Sequence, residues 1–160
     1  MPMNAVARPI FRQIEARDVK ELLHLRTQVK ENVLTAEELE RRGITESDVI
    51  RKLSGSFKGW LCECDGRIVG FAMGDRLTGE MWVIAVLPDY EGRGIGRRLL
   101  SLVQEWLFSF HDELWLTTED NPNNRAYGVY LKAGWRKVSS EGGHCRMVSV
   151  KPPELRGGGA

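Results

Sequence analysis

The sequence predicts one domain of the mixed α/β class. Its predicted elements follow the order β-α-α-β-β-β-α-β-α-β-β over 160 residues. Two β-runs joined by Asp65-Gly66, a dipeptide typical of hairpin turns, indicate neighbouring antiparallel strands. A glycine-rich loop then leads into a helix with one apolar face, running from Leu99 to Phe110. A chain of this length is large enough to bury one sizeable core.

Runs of β-type residues define the predicted strands. They are Ile10 to Ile14, Gly59 to Cys64, Arg67 to Asp75, Glu80 to Leu87, Leu114 to Thr118, Trp135 to Ser139 and Cys145 to Val150. Pro88 ends the fourth run because proline cannot continue a central ladder. Gly142-Gly143 separates the last two runs, which indicates a second hairpin.

Capping residues indicate where the helices begin. Asp18 is predicted to cap the first helix, and Thr35 with Glu38 forms a capping box for the second. Thr45 to Leu53 predicts another short helical segment. Asn121-Pro122 predicts an N-cap followed by a proline at the first position of the last helix.

The amino-acid composition disfavours some classes of binding partner for this protein. The formal net charge is +1, so the chain has no global basic field that would hold nucleic acid or a membrane surface. The first eight residues lack the apolar core of a signal peptide, and no apolar run approaches the length of a membrane span. We therefore expect a cytoplasmic protein that binds neither nucleic acid nor membranes.

The three cysteines are expected to be buried thiols. An odd number cannot pair fully within one chain, which disfavours a disulfide framework. Cys62 and Cys64 have the spacing of one face of a strand, but no second pair of ligands with suitable spacing follows. The only further candidate, His144-Cys145, is far along the chain, so no metal site is predicted.

The glycine-rich loop from Glu91 to Arg97 predicts an anion site. Its glycines allow close backbone approach, and the helix that follows presents unsatisfied N–H groups and a partial positive charge. Arginines at positions 93, 97 and 98 add positive charge where helices usually carry acidic residues. The alternative is that the glycines shape a tight connection and the arginines are simply solvated.

The loop does not match the two best-known phosphate motifs. A Walker-type loop needs a lysine followed by a hydroxyl residue, and neither is present. The dinucleotide pattern G-x-G-x-x-G fits Gly92 and Gly94, but Arg97 occupies its third glycine position. Nucleotide-dependent oxidoreduction therefore stays an alternative with weaker support.

Two motifs in this chain resemble the GCN5-related N-acetyltransferase (GNAT) superfamily. The first is [QR]-x-x-G-x-[GA] after a V-x-P strand end, which here is Val86-Leu87-Pro88. The second, N-x-x-A-x-x-x-Y-x-x-x-G-[FW], is matched in full from Asn123 to Trp135. The resemblance implies a single GNAT-like domain over residues 1–150, with a mixed, mostly antiparallel sheet and helices on both faces. Residues 151–160 are expected to be a disordered tail or a remnant of cloning.

The resemblance also implies that acetyl-coenzyme A is the cosubstrate and that no metal is needed. A strand segment would pair with the pantetheine arm, a loop would hold the diphosphate, and an asparagine would hold the pantetheine end. The residues carried over by position are Ile84, Ala85, Val86, Gly92, Arg93, Gly94, Ile95, Gly96, Arg97 and Asn123.

By position in the second motif, Tyr130 is implied to be the general acid. Direct transfer of an acetyl group requires stabilisation of an oxyanion, for which a backbone N–H near Val86 is available, and a donor for the departing sulfur. A tyrosine can be that donor, although Tyr130 also has the helical spacing of a core residue with Ala126 and Val129. Tyr127 is the fallback donor.

Two positions depart from the family pattern. Glu91 stands where glutamine or arginine is usual, so we expect weakened or altered coenzyme affinity at worst, because the loop binds mainly through backbone N–H groups. Thr117-Thr118 stands where acetyltransferases of ribosomal proteins have a glutamate base, so that specific activity is not supported.

The acceptor site is less well defined. A segment from Arg26 to Leu34 is similar to one in uncharacterised bacterial members of the superfamily, which implies that Glu31 and Asn32 line the acceptor pocket. Glu80 and His24 are further candidates for a base, each with solvated surface as the alternative. Trp60 and Trp82 either form walls of this pocket or belong to the core.

The predicted function is transfer of an acetyl group from acetyl-CoA to an amine of a small molecule or a protein. A non-catalytic acyl-CoA-binding module is the alternative from another class, because Glu91 is irregular and no base is obvious. The family includes dimers, so a homodimer is an alternative to a monomer.

Overall fold

The computed structural model describes residues 8–29 and 35–155. A seven-stranded sheet with the order β1-β2-β3-β4-β5-β7-β6 forms its centre. The strands are β1 (Ile10–Gln13), β2 (Phe57–Cys64), β3 (Arg67–Asp75), β4 (Glu80–Val86), β5 (Glu113–Glu119), β6 (Arg136–Glu141) and β7 (His144–Val150). This confirms the mixed, mostly antiparallel sheet.

Most neighbouring strands are antiparallel, and their register follows the predicted turns. The hairpin β2–β3 turns at Asp65, which has a φ of 54°, and Gly66, which has a φ of 73°. The hairpin β6–β7 turns at Gly142 and Gly143, both with positive φ. The pair β4–β5 alone is parallel among the strands described.

The helices cover both faces of this sheet. They are α1 (Val19–Arg26), α2 (Ala36–Arg41), α3 (Glu46–Leu53), α4 (Ile95–Phe108) and α5 (Arg125–Lys132), with short 3-10 turns at Ala16–Asp18, Pro88–Tyr90 and Pro153–Leu155. α4 contacts β2, β3 and β4, whereas α1 packs on β3 and α3 on β2 from the opposite face.

Glycines on β3 allow α4 to lie close to the sheet. A Cβ atom at Gly70 would come 3.3 Å from Leu99 Cδ1, and one at Gly74 would come 2.8 Å from Val103 Cγ1. Leu99 and Val103 are fully buried on α4. The long helix that begins at the glycine loop is therefore anchored directly on the centre of the sheet.

The predicted capping box of the second helix is confirmed, and the structure adds a side-chain cap at the third. Thr35 and Glu38 form the capping box of α2, with Glu38 N–H donating to Thr35 Oγ1 at 3.0 Å. Thr45 caps α3 by accepting from Asp48 N–H at 3.2 Å.

The predicted role of Asp18 is wrong. Asp18 stands at the N-cap position of α1, but its carboxylate does not cap that helix. It accepts two hydrogen bonds from Arg12, at 2.9 and 2.8 Å, and one from Glu15 N–H at 2.7 Å. The Arg12 guanidinium accordingly lowers the pKa of Asp18. This carboxylate fastens the first strand to the following turn.

The predicted start of the last helix is also wrong. Asn124 is the N-cap of α5, and its Oδ1 accepts from Ala126 N–H at 2.9 Å. Asn121 instead accepts from Asn123 N–H at 3.0 Å, which closes a local turn before the helix. Several asparagines in succession offered the same capping chemistry, and the turn used the first of them.

The cysteines are buried, as predicted. Cys62, Cys64 and Cys145 are free thiols in the core. Burial raises the pKa of Cys62 to about 12. Cys62 is therefore a protonated packing group at neutral pH.

We expect Gly74→Ala to destabilise the fold, because its Cβ would come 2.8 Å from Val103 Cγ1 and 2.9 Å from Leu107 Cδ1. Overpacking of this kind costs about 1–3 kcal/mol, or roughly 2–4 °C of Tm per kcal/mol at this chain length. Thermal unfolding followed by circular dichroism measures the change.

Gly128→Ala is the matched control. It adds the same methyl group to the interior of α5, where a Cβ atom meets nothing within 4 Å. Alanine is the better helix former by about 0.5–1 kcal/mol, so this variant should be at least as stable as the wild type. Equal Tm values for the two variants would contradict close packing of α4 on Gly74.

Candidate active site

The candidate site lies where β4 and β5 separate. Glu80 of β4 and Trp115 of β5 form the one ladder pair between these fully described strands. Trp115 fastens the same end through its backbone N–H, which donates to Gly79 O at 3.2 Å, and its indole N–H, which donates to Thr78 O at 3.1 Å. From there the strands diverge toward their C-terminal ends.

The divergence leaves backbone groups of β4 facing the gap. Leu87 N–H donates to Val69 O across the β3–β4 ladder at 2.9 Å. Because successive peptide groups of a strand alternate in direction, Ile84 and Val86 direct their N–H and C=O groups toward β5. These groups have no ladder partner on β5 and remain available to a ligand.

An extra residue in β4 forms a β-bulge, which changes the direction of the side chains along this strand. Val83 pairs with Met73 and Met81 pairs with Gly74, so Trp82 is the bulged residue between them. Trp82 lines the cleft and makes an edge contact with Phe57, with ring centroids 5.2 Å apart. Trp60 instead packs on Trp106 of α4 and does not line the cleft.

The glycine loop follows β4 and ends at the N-terminus of α4. Gly92 and Gly94 have φ values of 76° and 83°, which residues other than glycine rarely adopt. Gly94 is the N-cap of α4, which has neither a side-chain cap nor an acidic residue in its first turn. α2, α3 and α5 are each capped by a side chain, whereas α4, like α1, has no side-chain cap on its first N–H groups. Such an end favours an anion.

The three loop arginines have different positions. Arg97 lines the cleft. Arg93 turns back from the loop, donating to Asp89 O at 3.1 Å and placing its guanidinium 4.9 Å from the centre of the Tyr90 ring. Arg98 is exposed and, like Arg93, does not line the cleft.

The gap opens into one continuous cleft of about 1040 Å³. It extends from the glycine loop, past Ile84 and Val86, to α1 and the Tyr130 side chain of α5. A volume of this size is within the range of sites for large cofactors and their substrates. The two sequence motifs therefore meet in a single cavity.

Tyr130 lies deep in this cleft. It is 5% exposed, and its ring centroid is 6.0 Å from that of Trp135. Burial raises the pKa of the Tyr130 phenol above its usual range, while the positive charge of Arg26 has the opposite, smaller effect. The phenol is therefore protonated at neutral pH and can donate a hydrogen bond or a proton. Tyr127 is buried on the same helix but does not line the cleft.

Several residues predicted for the site lie elsewhere. The Ile95 side chain is 3% exposed and belongs to the core, so only its backbone can face a ligand. Asn123 is exposed and outside the cleft, whereas the neighbouring Asn124 is buried and lines it. Glu31 and Asn32 lie outside the described residues.

Glu80 does not line the cleft either. It lies at the joined end of β4, opposite Asp75 in the ladder. Burial raises the pKa of Glu80, the negative charge of Asp75 adds to the effect, and Lys52 and Arg146 oppose it. Glu80, with its raised pKa, therefore lies at the end where β4 and β5 are paired, and not near Tyr130.

The structure adds lining residues that sequence reasoning did not assign to the site. They include Arg26, Arg42, Thr118, Asn124, Arg125 and His144. Asn124 also donates from Nδ2 to Glu119 Oε2 at 3.2 Å, which joins the start of α5 to the end of β5. Only Asn124 had a detectable sequence signal, because it is one of several asparagines before a predicted helix.

Within residues 8–29 and 35–155, no group of three His, Cys, Asp or Glu side chains is arranged to hold a metal ion. None of the helices in these ranges has the length and apolar character needed to span a membrane.

Relatives with known names share parts of this sequence. A stretch of 78 residues is 35% identical to mycothiol acetyltransferase from Tsukamurella paurometabola, and it covers 46% of this chain and 27% of that protein. The match therefore spans about a quarter of that relative. A stretch of 107 residues is 27% identical to an uncharacterised N-acetyltransferase from Methanocaldococcus jannaschii, covering 61% of this chain and 69% of that protein.

Solved structures share the fold. The PaiA N-acetyltransferase from Thermoplasma acidophilum, in complex with coenzyme A, superposes with a TM-score of 0.76 at 16% identity, covering 89% of this chain and 99% of that one. The ribosomal-protein-S18-alanine N-acetyltransferase from Escherichia coli gives a TM-score of 0.69 at 18% identity, covering 89% and 94%.

The family model described as "Acetyltransferase (GNAT) family" matches residues 19–135. This range runs from the start of α1 to Trp135 and includes the glycine loop and the whole of α5. The chain belongs to the acetyltransferase (GNAT) family.

Proposed function

We propose that this acetyltransferase binds acetyl-CoA in the gap between β4 and β5 and transfers the acetyl group directly to an amine. The divergence of the two strands beyond Glu80 and Trp115 is the observation that carries the proposal. It exposes strand-type hydrogen-bonding groups at Ile84 and Val86 along a cleft that ends at a protonated phenol. An extended pantetheine arm, which carries amide groups, is a suitable partner for such an edge.

The loop at the mouth of the cleft is suited to the diphosphate. Gly92, Gly94 and Gly96 bring the backbone close to a ligand, and the N-terminus of α4 supplies uncapped N–H donors. Arg97 lines the cleft beside these donors and adds a bidentate charged group. Ile95 contributes through its backbone, because its side chain is in the core. Asn124 takes over the lining position predicted for Asn123.

The reaction places a negative charge on the thioester oxygen. The amine nitrogen attacks the carbonyl carbon, and the carbonyl π electrons move to the oxygen. The N–H of Val86 faces the gap and can donate to this oxyanion. Collapse of the intermediate breaks the carbon–sulfur bond, forming the amide and releasing coenzyme A as a thiolate. The amine's proton leaves to solvent or to a base.

Tyr130 is positioned to assist the departing sulfur. Its phenol is protonated at neutral pH, burial raises its pKa further, and it lines the same cleft as Val86. A donor at this place stabilises the developing thiolate and returns a proton to it.

The acceptor amine would enter from the side of α1 and α3. Apolar side chains of Leu22, Val49 and Trp82 line this end, together with the arginines Arg26 and Arg42. Glu31 and Asn32 stay predicted acceptor residues in the adjacent segment. Either a small molecule or a protein chain can present an amine here.

We expect acetyl-CoA to stabilise the protein against heat, whereas NAD and NADP should not. A ligand that binds the folded state alone adds about 2.7 kcal/mol at roughly 100 times its Kd. Thermal shift with each compound measures this difference. Stabilisation by NADP without stabilisation by acetyl-CoA would favour an oxidoreductase instead.

We expect Tyr130→Phe to lower kcat by roughly 10²-fold or more, because the leaving thiolate loses its proton donor. Release of the coenzyme A thiol in the presence of a panel of small amines and peptide amines gives kcat, and calorimetry gives the Kd of coenzyme A. The Kd should change little, because the phenol acts on the transition state and not on the bound coenzyme.

Tyr127→Phe is the matched control, since it removes a phenol oxygen from the same helix outside the cleft. Its kcat should equal that of the wild type. Undiminished turnover in Tyr130→Phe would remove Tyr130 from this role. Tight binding of coenzyme A without thiol release for any amine would favour a non-catalytic binding module.

A further inference from the structure

An ion pair joins the two sides of the cleft at its mouth. Arg125 Nε lies 2.9 Å from Glu91 Oε1. Glu91 opens the glycine loop that follows β4, whereas Arg125 is the first residue of α5, which follows β5. Both residues line the cleft. The pair therefore connects the two elements that lie on either side of the gap.

Each charge has an unfavourable position on its own. Glu91 places a carboxylate at the start of an anion-binding loop, and its side chain is only 13% exposed. Arg125 places a cation at the N-terminus of α5, where the helix dipole disfavours positive charge. The Arg125 side chain is 58% exposed, so solvent screens the pair in part, and its effect is local to the mouth of the cleft. Each residue thus reduces the unfavourable electrostatic energy of the other.

The position of Glu91 is also the irregular position of the loop motif. Without a counter-charge, its carboxylate would repel a diphosphate held by the N–H groups of Gly92 to Gly96. The ion pair directs Glu91 Oε1 toward α5. Arg125 thus offsets part of the negative charge of this carboxylate and holds it toward α5.

We infer that Arg125 is a positioning residue for the coenzyme: by pairing with Glu91, it preserves the affinity of the glycine loop for a diphosphate. The inference rests on the proposed function, since it takes the diphosphate of coenzyme A as the ligand. Arg125 acts through Glu91 and not by binding the coenzyme itself. In this chain the acidic residue of the loop is thus accompanied by a basic residue at the start of α5.

A double-mutant cycle tests this pairing. Calorimetry gives the Kd of coenzyme A for the wild type, Arg125→Gln, Glu91→Gln and the double variant. Arg125→Gln should weaken binding about tenfold, because an unpaired carboxylate then lies beside the diphosphate. Glu91→Gln should bind at least as tightly as the wild type. The double variant should match Glu91→Gln, because the carboxylate whose charge Arg125 offsets is then absent.

Steady-state kinetics and the salt dependence of coenzyme affinity distinguish this electrostatic role of Arg125 from a structural one. In Arg125→Gln the KM for acetyl-CoA should rise while kcat stays the same, and the difference from wild type should shrink as salt is raised. A fall in kcat with a salt-independent loss of affinity would indicate that the cleft itself is distorted, and would overturn the inference. Arg136→Gln is the control, since it removes the same charge from an exposed residue of β6 outside the cleft.

Two further outcomes would overturn the inference while leaving the proposed function intact. One is an unchanged Kd in Arg125→Gln. The other is an equal loss of affinity when Arg125→Gln is made in the Glu91→Gln background, which would show that Arg125 contacts the coenzyme directly. Failure of the wild type to bind coenzyme A would instead overturn the proposed function, and this inference with it.

Discussion

The site depends on a constraint of backbone hydrogen bonding between two parallel strands. β4 and β5 are fastened at Glu80 and Trp115 and then diverge. In the interior of a protein, peptide groups without partners are costly, so a sheet opens in this way only where water or a ligand can satisfy them. The groups of Ile84 and Val86 meet this condition by facing a large cleft. The incomplete sheet thus leaves a candidate binding site in the gap.

The packing of α4 on β3 and β4 supports the strand that borders the gap. Gly70 and Gly74 let α4 lie against the sheet, and the N-terminus of that helix reaches the same end of β4 at which the gap is widest. A Cβ atom at Gly96 would come only 3.7 Å from Val86 Cγ2, so the loop and the exposed edge of β4 are close neighbours. One helix therefore supplies both the support of the strand and the donors for an anion. For the proposed coenzyme, this arrangement would give the diphosphate and the extended arm one continuous path.

Sequence patterns identified most of the fold because they are local. Asp65-Gly66 and the Thr35–Glu38 capping box determine a turn and a helix start by chemistry within four residues, and both are confirmed. The capping role of Asp18 was wrong because the competing partner, Arg12, comes from another element. Most predicted coenzyme residues line the cleft, but the position of Asn123 depended on a contact that the sequence alone does not fix. Whether Asn123 or Asn124 faces the cleft depends on where the preceding turn ends, which neighbouring asparagines leave ambiguous.

Glu80 and Glu91 show that the sequence positions of acidic residues do not reveal which of them lie at the cleft. Both are acidic residues at the ends of the central strand region, yet Glu80 lies at the fastened end and Glu91 at the mouth of the cleft. A family motif describes Glu91 as a departure, because it compares side chains at one position. Because the proposed diphosphate contacts are to backbone N–H groups, an acidic side chain at this position is compatible with them when its charge is offset nearby. Arg125 provides that balance from an element 34 positions further along the chain, at 2.9 Å. An irregular residue in a motif is therefore best interpreted together with the residue that contacts it.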